Sequence, residues 1–155
     1  MAFDDKTQRE VFHFLFLDRL LKISDPKFYV LKGGVNFRFF LQSPRYSEDM
    51  DLDVVGGAVE TLKKNGYKIL EDAAFQRNLQ SFGIRSLKIN DKEKAKHTET
   101  TQRFSLRLVN DAGEEFPTKV EFSRRAPDAQ EKYLLEDINP AVALTFKRLS
   151  YRCYH

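Results

Sequence analysis

Asp49, Asp51 and Asp53 occupy alternate positions beside Met50, Leu52 and Val54. On a β-strand, residues two apart share a face and lie roughly 6–7 Å apart along the chain. The three carboxylates then line one side, and the apolar residues face a core on the other. Hard oxygen ligands placed this way converge on one or two divalent ions of the Mg²⁺ or Mn²⁺ type. A strand with a solvated acidic face uses the same pattern. So does a calcium loop: with Asp49 as position 1, Asp51, Asp53 and Glu60 fall at positions 3, 5 and 12. The calcium loop needs glycine at position 6, where Val54 stands, and Pro44 interrupts the helix that should lead into it.

Gly33 and Gly34 precede this motif, between the strand-like FYVL and a segment of helical spacing. A glycine pair at a strand-to-helix turn lets backbone N–H groups approach a phosphate, with the helix dipole behind them. Alone, such a pair is usually only a turn. Followed by a metal-binding strand, it describes a site for a nucleoside triphosphate with its metal.

The combined stretch LKGGVNFRFF…SPRYSEDMDLDV, over Val30 to Val54, resembles the signature of the AbiEii/AbiGii branch of the polymerase-beta-like nucleotidyltransferase superfamily. That branch includes toxins of abortive-infection and type IV toxin–antitoxin systems, with a role in phage defence. The branch pattern maps onto Lys32, Gly33, Gly34, Arg38, Ser47, Asp49 and Asp51. The resemblance implies a third carboxylate on a later strand, which Glu121 in KVEFS supplies, and a helical lysine after it, which Lys147 in ALTFKRLS supplies. It implies Mg²⁺ or Mn²⁺ on Asp49, Asp51 and Glu121, and triphosphate held by Gly33, Gly34, Ser47 and Lys147, with Lys32 and Arg38 as further cations. The implied acceptor is RNA, with the tRNA 3′ end foremost, and the implied partner is a cognate antitoxin. An inactive nucleotide- or RNA-binding module that keeps the fold is the alternative. Members usually continue into a helical region with an Arg-Asp…Asp motif. The expectation here is a single catalytic domain over 1–155 without that region. Asp53 lies one step past the two-aspartate motif, which suits a structural role.

Around these residues the elements follow from periodicity. TQRE, Thr7 to Glu10, fits a capping box for a helix ending near Ile23, stopped by Ser24–Pro26. MDLDVV is a strand. Ala58 to Gln80 has helical spacing, with Gly66 as the expected break. SFGIRSLKI, TQRFSLRLV and FPTKVEFS are three strands, and NDKEKAKHTET is a solvated hairpin loop. Asn139 and Pro140 predict a closing helix. Helices alternate with strands early and strands run together late, which predicts an α/β (α+β) mixed sheet flanked by helices.

Composition sets outer bounds. With 155 residues, 41% of them hydrophobic and 32% charged, the chain suits one globular domain. The net charge of +3 is compatible with a polyanion but too small to require one. The basic segments Arg85–Lys96 and Arg103–Arg107 read either as RNA guides or as solvated surface. Cys153 is the single cysteine, which excludes an intrachain disulfide and a cysteine-based zinc site. The charged start carries neither a signal peptide nor a membrane span, so the expected location is the cytoplasm, with no membrane partner.

Overall fold

The computed structural model describes residues 3–40, 44–92, 95–124, 133–137 and 150–154. Its central element is α1, Asp5–Ile23, which meets protein on nearly every side: residues 8–14, 16–18 and 20 are buried. A helix wrapped in this way must satisfy its polar side chains internally. Gln8 donates to the Phe82 carbonyl at 3.1 Å, Arg9 to the Pro117 carbonyl at 3.0 Å, and His13 meets Thr118 at 2.9 Å. Asp4 caps α1, accepting from the Thr7 N–H at 2.8 Å, so the expected cap at Thr7 is corrected to a neighbour. Two good caps stood three residues apart, and Glu10 is drawn away to pair with Arg38.

After α1 come β1 (Tyr29–Lys32), α2 (Gly33–Phe40), β2 (Met50–Val54), α3 (Val59–Glu71), α4 (Ala73–Gln80), β3 (Ile84–Ile89), β4 (Thr101–Asn110), β5 (Glu115–Arg124), β6 (Tyr133–Asp137) and β7 (Ser150–Tyr154). The described strands form one mixed sheet in the order β3-β4-β5-β2-β1-β7-β6. The β2–β5 and β1–β7 pairs are parallel and the others antiparallel. A mixed sheet with helices against it is the expected class. β6 was not anticipated. Most of the expected closing helix, with Lys147, lies outside the described residues. Its last part is corrected: Ser150–Tyr154 is a strand between β1 and β6, and the tyrosines there favour that state.

The phenylalanine-rich composition becomes a core. Phe12 of α1 packs on Phe75 of α4 with centroids 6.1 Å apart, Phe14 on Phe39 of α2 at 6.0 Å, and Phe16 on Phe122 of β5 at 6.5 Å. The first two are edge-on and the third is tilted, and edge-on aromatic pairs add to burial. Met50, Leu52 and Val54 enter the same core, as alternation predicted. The described residues of the hairpin linker before β4 are mostly exposed, but Ala95 and His97 are half-buried, His97 against Tyr67 and Phe104 with its Nε2 on the Tyr67 hydroxyl at 2.8 Å.

The expected break at Gly66 is corrected: α3 runs through it and the chain turns at Asp72, which caps α4 through the Phe75 N–H. Gly66 is there for space, since a Cβ would overlap the buried Phe104 ring. Gly66→Ala gains about 1 kcal/mol of helix propensity but overpacks a filled core, at a cost of up to about 3 kcal/mol. The expected net loss of about 2 kcal/mol should appear as a melting temperature lowered by roughly 4–8 °C.

Among the described residues, no helix is long and apolar enough to cross a membrane.

Candidate active site

One cross-sheet row carries the charges. Registered neighbours run Arg103 on β4, Glu121 on β5, Asp51 on β2 and Lys32 on β1. Adjacent strands stand about 4.8 Å apart, so two carboxylates sit side by side with a cation outside each. The opposite face of the same strands carries Phe104, Val120, Phe122, Met50, Leu52 and Leu31, all buried. The row therefore lies on the face turned away from the aromatic core.

The outer cations do not serve the two carboxylates equally. Arg103 Nε donates to Glu121 Oε2 at 2.7 Å, and Lys119 Nζ lies 3.7 Å from the same oxygen. Burial pushes the Glu121 carboxyl up, but Arg103, Lys119 and Lys96 outweigh it and leave the group below its ordinary range. Lys32 instead reaches diagonally to Asp53, at 2.7 Å. Asp51 is left poorly compensated. Burial first, then Glu121, and to a lesser extent Asp49, push its carboxyl up, against partial offset from Lys32 and Lys119.

The glycine pair borders this row. Gly33 adopts φ +70°, open chiefly to glycine, and a Cβ there would stand 3.4 Å from Asp51 Oδ2. A Cβ on Gly34 would stand 2.8 Å from Ser47 Oγ. The bare backbone entering α2 thus lies against an aspartate and a serine of the motif. Ser47 itself donates to the Asp49 carbonyl at 2.6 Å, and Asp49 Oδ1 accepts the Lys119 N–H at 3.1 Å. Two clefts lie near these residues, the first bordered by Arg103 of the row and the second by Ser47. One of about 410 Å³ is lined by Tyr67, Asn90, Asp91, Lys96, Arg103 and Ser105. Another of about 320 Å³ lies beside Tyr46, Ser47 and Glu48.

The fold therefore brings Lys32, Gly33, Gly34, Ser47, Asp49, Asp51 and Glu121 into one neighbourhood. Among the described residues, however, no three acidic or histidine side chains are gathered closely enough to hold an ion. Arg38 is engaged on two sides: its Nε donates to Glu10 at 2.8 Å, and its guanidinium stacks 4.2 Å over Tyr46. Burial raises the Glu10 carboxyl, and Arg38 offsets only part of that. Arg103 was read from sequence only as part of a basic segment. Its odd-numbered place on β4, in phase with Ser105 and Arg107, marked the face but not the partner.

Asp53 is almost fully buried, and Lys32 is its ion-pair partner. Breaking a buried pair from one side costs about 3–5 kcal/mol. With Lys32 partly exposed, the expected loss for Lys32→Met is about 3 kcal/mol, a melting temperature roughly 6–12 °C lower. Adding Asp53→Asn should recover part of that loss; a double-mutant cycle on urea unfolding reads the coupling.

A family model described as nucleotidyl transferase AbiEii toxin, type IV TA system, matches residues 15–155. Among solved structures the fold is similar to JHP933 from Helicobacter pylori, at 18% identity and a TM-score of 0.55, over 100% of this chain and 54% of that one. It is also similar to MenT4, a nucleotidyltransferase toxin from Mycobacterium tuberculosis, at 19% identity and a TM-score of 0.53, over 78% of this chain and 38% of that one. At these identities the likeness is one of fold, and the chain spans about half of the first structure and less of the second. No curated protein sequence matches the chain. The family match runs from inside α1 to the last residue and takes in the acidic row, its glycine border and both parallel strand pairs: the chain belongs to the AbiEii family of nucleotidyl transferase toxins of type IV toxin–antitoxin systems.

Proposed function

We propose that the chain transfers a nucleoside monophosphate from a nucleoside triphosphate to an acceptor hydroxyl. The observation that carries this reading is the registered Asp51–Glu121 pair beside Gly33. Two neighbouring carboxylates, one of them raised by burial and by the other, are stabilised when a cation joins them. The donors are hard oxygens, so the set fits Mg²⁺ or Mn²⁺ held by Asp51 and Glu121, with Asp49 adjoining. When bound, that ion neutralises the triphosphate and polarises its phosphoryl oxygens.

The remaining work falls to the chain. Backbone N–H groups at Gly33 and Gly34 hold the outer phosphates, the Ser47 hydroxyl joins them by turning its one proton away from the Asp49 carbonyl, and Lys32 lends charge beside them. Lys147 is proposed for the same role. Arg38 is proposed as a further cation, and its bond to Glu10 also fixes α2 to α1. Arg103 holds Oε2 of Glu121 and keeps the group ionised, leaving Oε1 to face the ion; for Glu121 to take the acceptor proton instead, the Arg103 contact must loosen, since it lowers the basicity of the carboxylate. The acceptor oxygen forms a bond to the α-phosphorus, the bond to the bridging oxygen breaks, and pyrophosphate leaves. The acceptor is RNA, with the tRNA 3′ end as the first candidate, and the chain works as a toxin opposed by a cognate antitoxin.

The grip of Arg103 on Glu121 favours a second reading, in which nucleotide binds without transfer. Incubation with α-labelled nucleoside triphosphates, Mg²⁺ or Mn²⁺ and total RNA separates the two. Label on RNA supports transfer; saturable nucleotide binding with no labelled product under any ion or nucleotide supports the binding module.

A further inference from the structure

The turn before β2 is gripped from β5 at two successive residues. The Thr118 hydroxyl donates to the Glu48 carbonyl at 2.6 Å, and the Lys119 N–H donates to Asp49 Oδ1 at 3.1 Å. A hydroxyl has one proton. With that proton on Glu48, Thr118 Oγ1 must accept from His13 Nε2, 2.9 Å away on α1. His13 is 1% exposed and Thr118 is 3% exposed, so water does not substitute for either partner. The chain of bonds runs from the central helix, through one β5 side chain, to the peptide between Ser47 and Asp49. Those two residues are the ones set against Gly34 and against the acidic row.

We infer that the buried His13–Thr118 pair is a latch that positions the Ser47–Asp49 turn, and with it Asp49, for the proposed transfer. The inference rests on the site reading above. Thr118 and His13 touch no reacting atom; they are positioning residues. A turn held only by its flanking strands can shift, and a misplacement of about 1 Å in such a site costs about a hundredfold in rate.

Thr118→Val keeps the shape and removes the hydroxyl. The expected result is a kcat for labelled transfer lowered by about 30–100-fold, with KM for the triphosphate within about threefold. Thr118→Ser, which restores the hydroxyl, should return kcat to within about threefold of the starting protein. A readout independent of activity is amide exchange at Lys119. In Thr118→Val it should quicken by about tenfold or more, as local opening becomes easier, while the Val120 amide in the same strand stays protected. If Thr118→Val fails to fold, His13→Leu and His13→Gln replace the pair: Leu lacks the donor and should lose the protection of Lys119, whereas Gln keeps an N–H and should retain it.

Unchanged Lys119 exchange in Thr118→Val overturns the latch, and so does a Ser variant as slow as the Val variant. If no transfer is found in any form, the functional reading fails while the exchange experiment still decides the latch.

Discussion

Asp51→Asn should abolish labelled nucleotide transfer, by about a thousandfold or more, while leaving a protein that melts no lower than the starting one. The rate loss follows from removing one of the two registered carboxylates; losing a single preorganised electrostatic group already costs about 10²–10³. The stability result follows from the opposite side of the same geometry. Asp51 is partly desolvated and repelled by Glu121, so its carboxyl is raised in the folded state. The folded protein holds that proton more tightly than the unfolded chain. Its contribution to stability is full below the unfolded value of about 3.8 and is lost as pH rises through the folded value. Asparagine mimics the protonated group, so above that window the variant should match or exceed the starting protein without divalent ions, and in acid the difference should close. Thermal melts over a pH series, paired with the transfer assay, check both halves. A variant that retains transfer refutes the assignment of Asp51. One that melts many degrees lower at neutral pH refutes the account of the row as repulsive.

The second large effect is acid sensitivity from His13. Burial, with a smaller push from Arg9, drives its imidazole from the usual 6.5 down to about 3. Arg9 and Thr118 are the polar groups that face it in the described contacts. Below 6.5 the unfolded chain takes up a proton that the folded chain refuses, so stability falls as pH falls, by up to about 1.4 kcal/mol per pH unit. Between pH 6 and 4 that amounts to roughly 2.5 kcal/mol, or a melting temperature lower by about 5–10 °C. The raised carboxyls of Glu10 and Asp51 act in the opposite direction, so the test is a difference. The gap between the starting protein and His13→Gln should shrink or reverse over this interval as the imidazole contribution is withdrawn. A gap that does not change with pH means that His13 takes up its proton without unfolding, and the claim of a neutral, water-free imidazole fails.

Short-range pattern carried a good deal. The alternation of Asp49, Asp51 and Asp53 with Met50, Leu52 and Val54 determined which residues share a face, because a strand repeats every two residues whatever surrounds it. Strand, glycine pair, helix and acidic strand were readable in order, and the resemblance over Val30 to Val54 identified the family on those same residues. Errors arose where two local solutions were nearly equal. Asp4 and Thr7 could each cap α1, and Gly66 could be a helix break or a packing gap. The choice depended on the distant Phe104 and Arg38.

Tertiary structure alone decided who stands beside whom. Asp51 meets Glu121 because β2 and β5 pair in parallel although 70 positions separate these residues. No local period encodes that. Lys32 could have answered either aspartate across the strand gap; in the folded chain it takes the buried Asp53, where an unpaired charge costs most, and leaves Asp51 exposed to repulsion. His13 stands among apolar residues of α1 and becomes an anchor because the fold brings Thr118 beside it. Sequence determined the side-chain types and the side of the strand they occupy, since those are properties of one backbone segment. Pairing between segments decided which carboxylates repel and which are held, since charge and hydrogen bonding depend on neighbours that only the assembled core brings within reach.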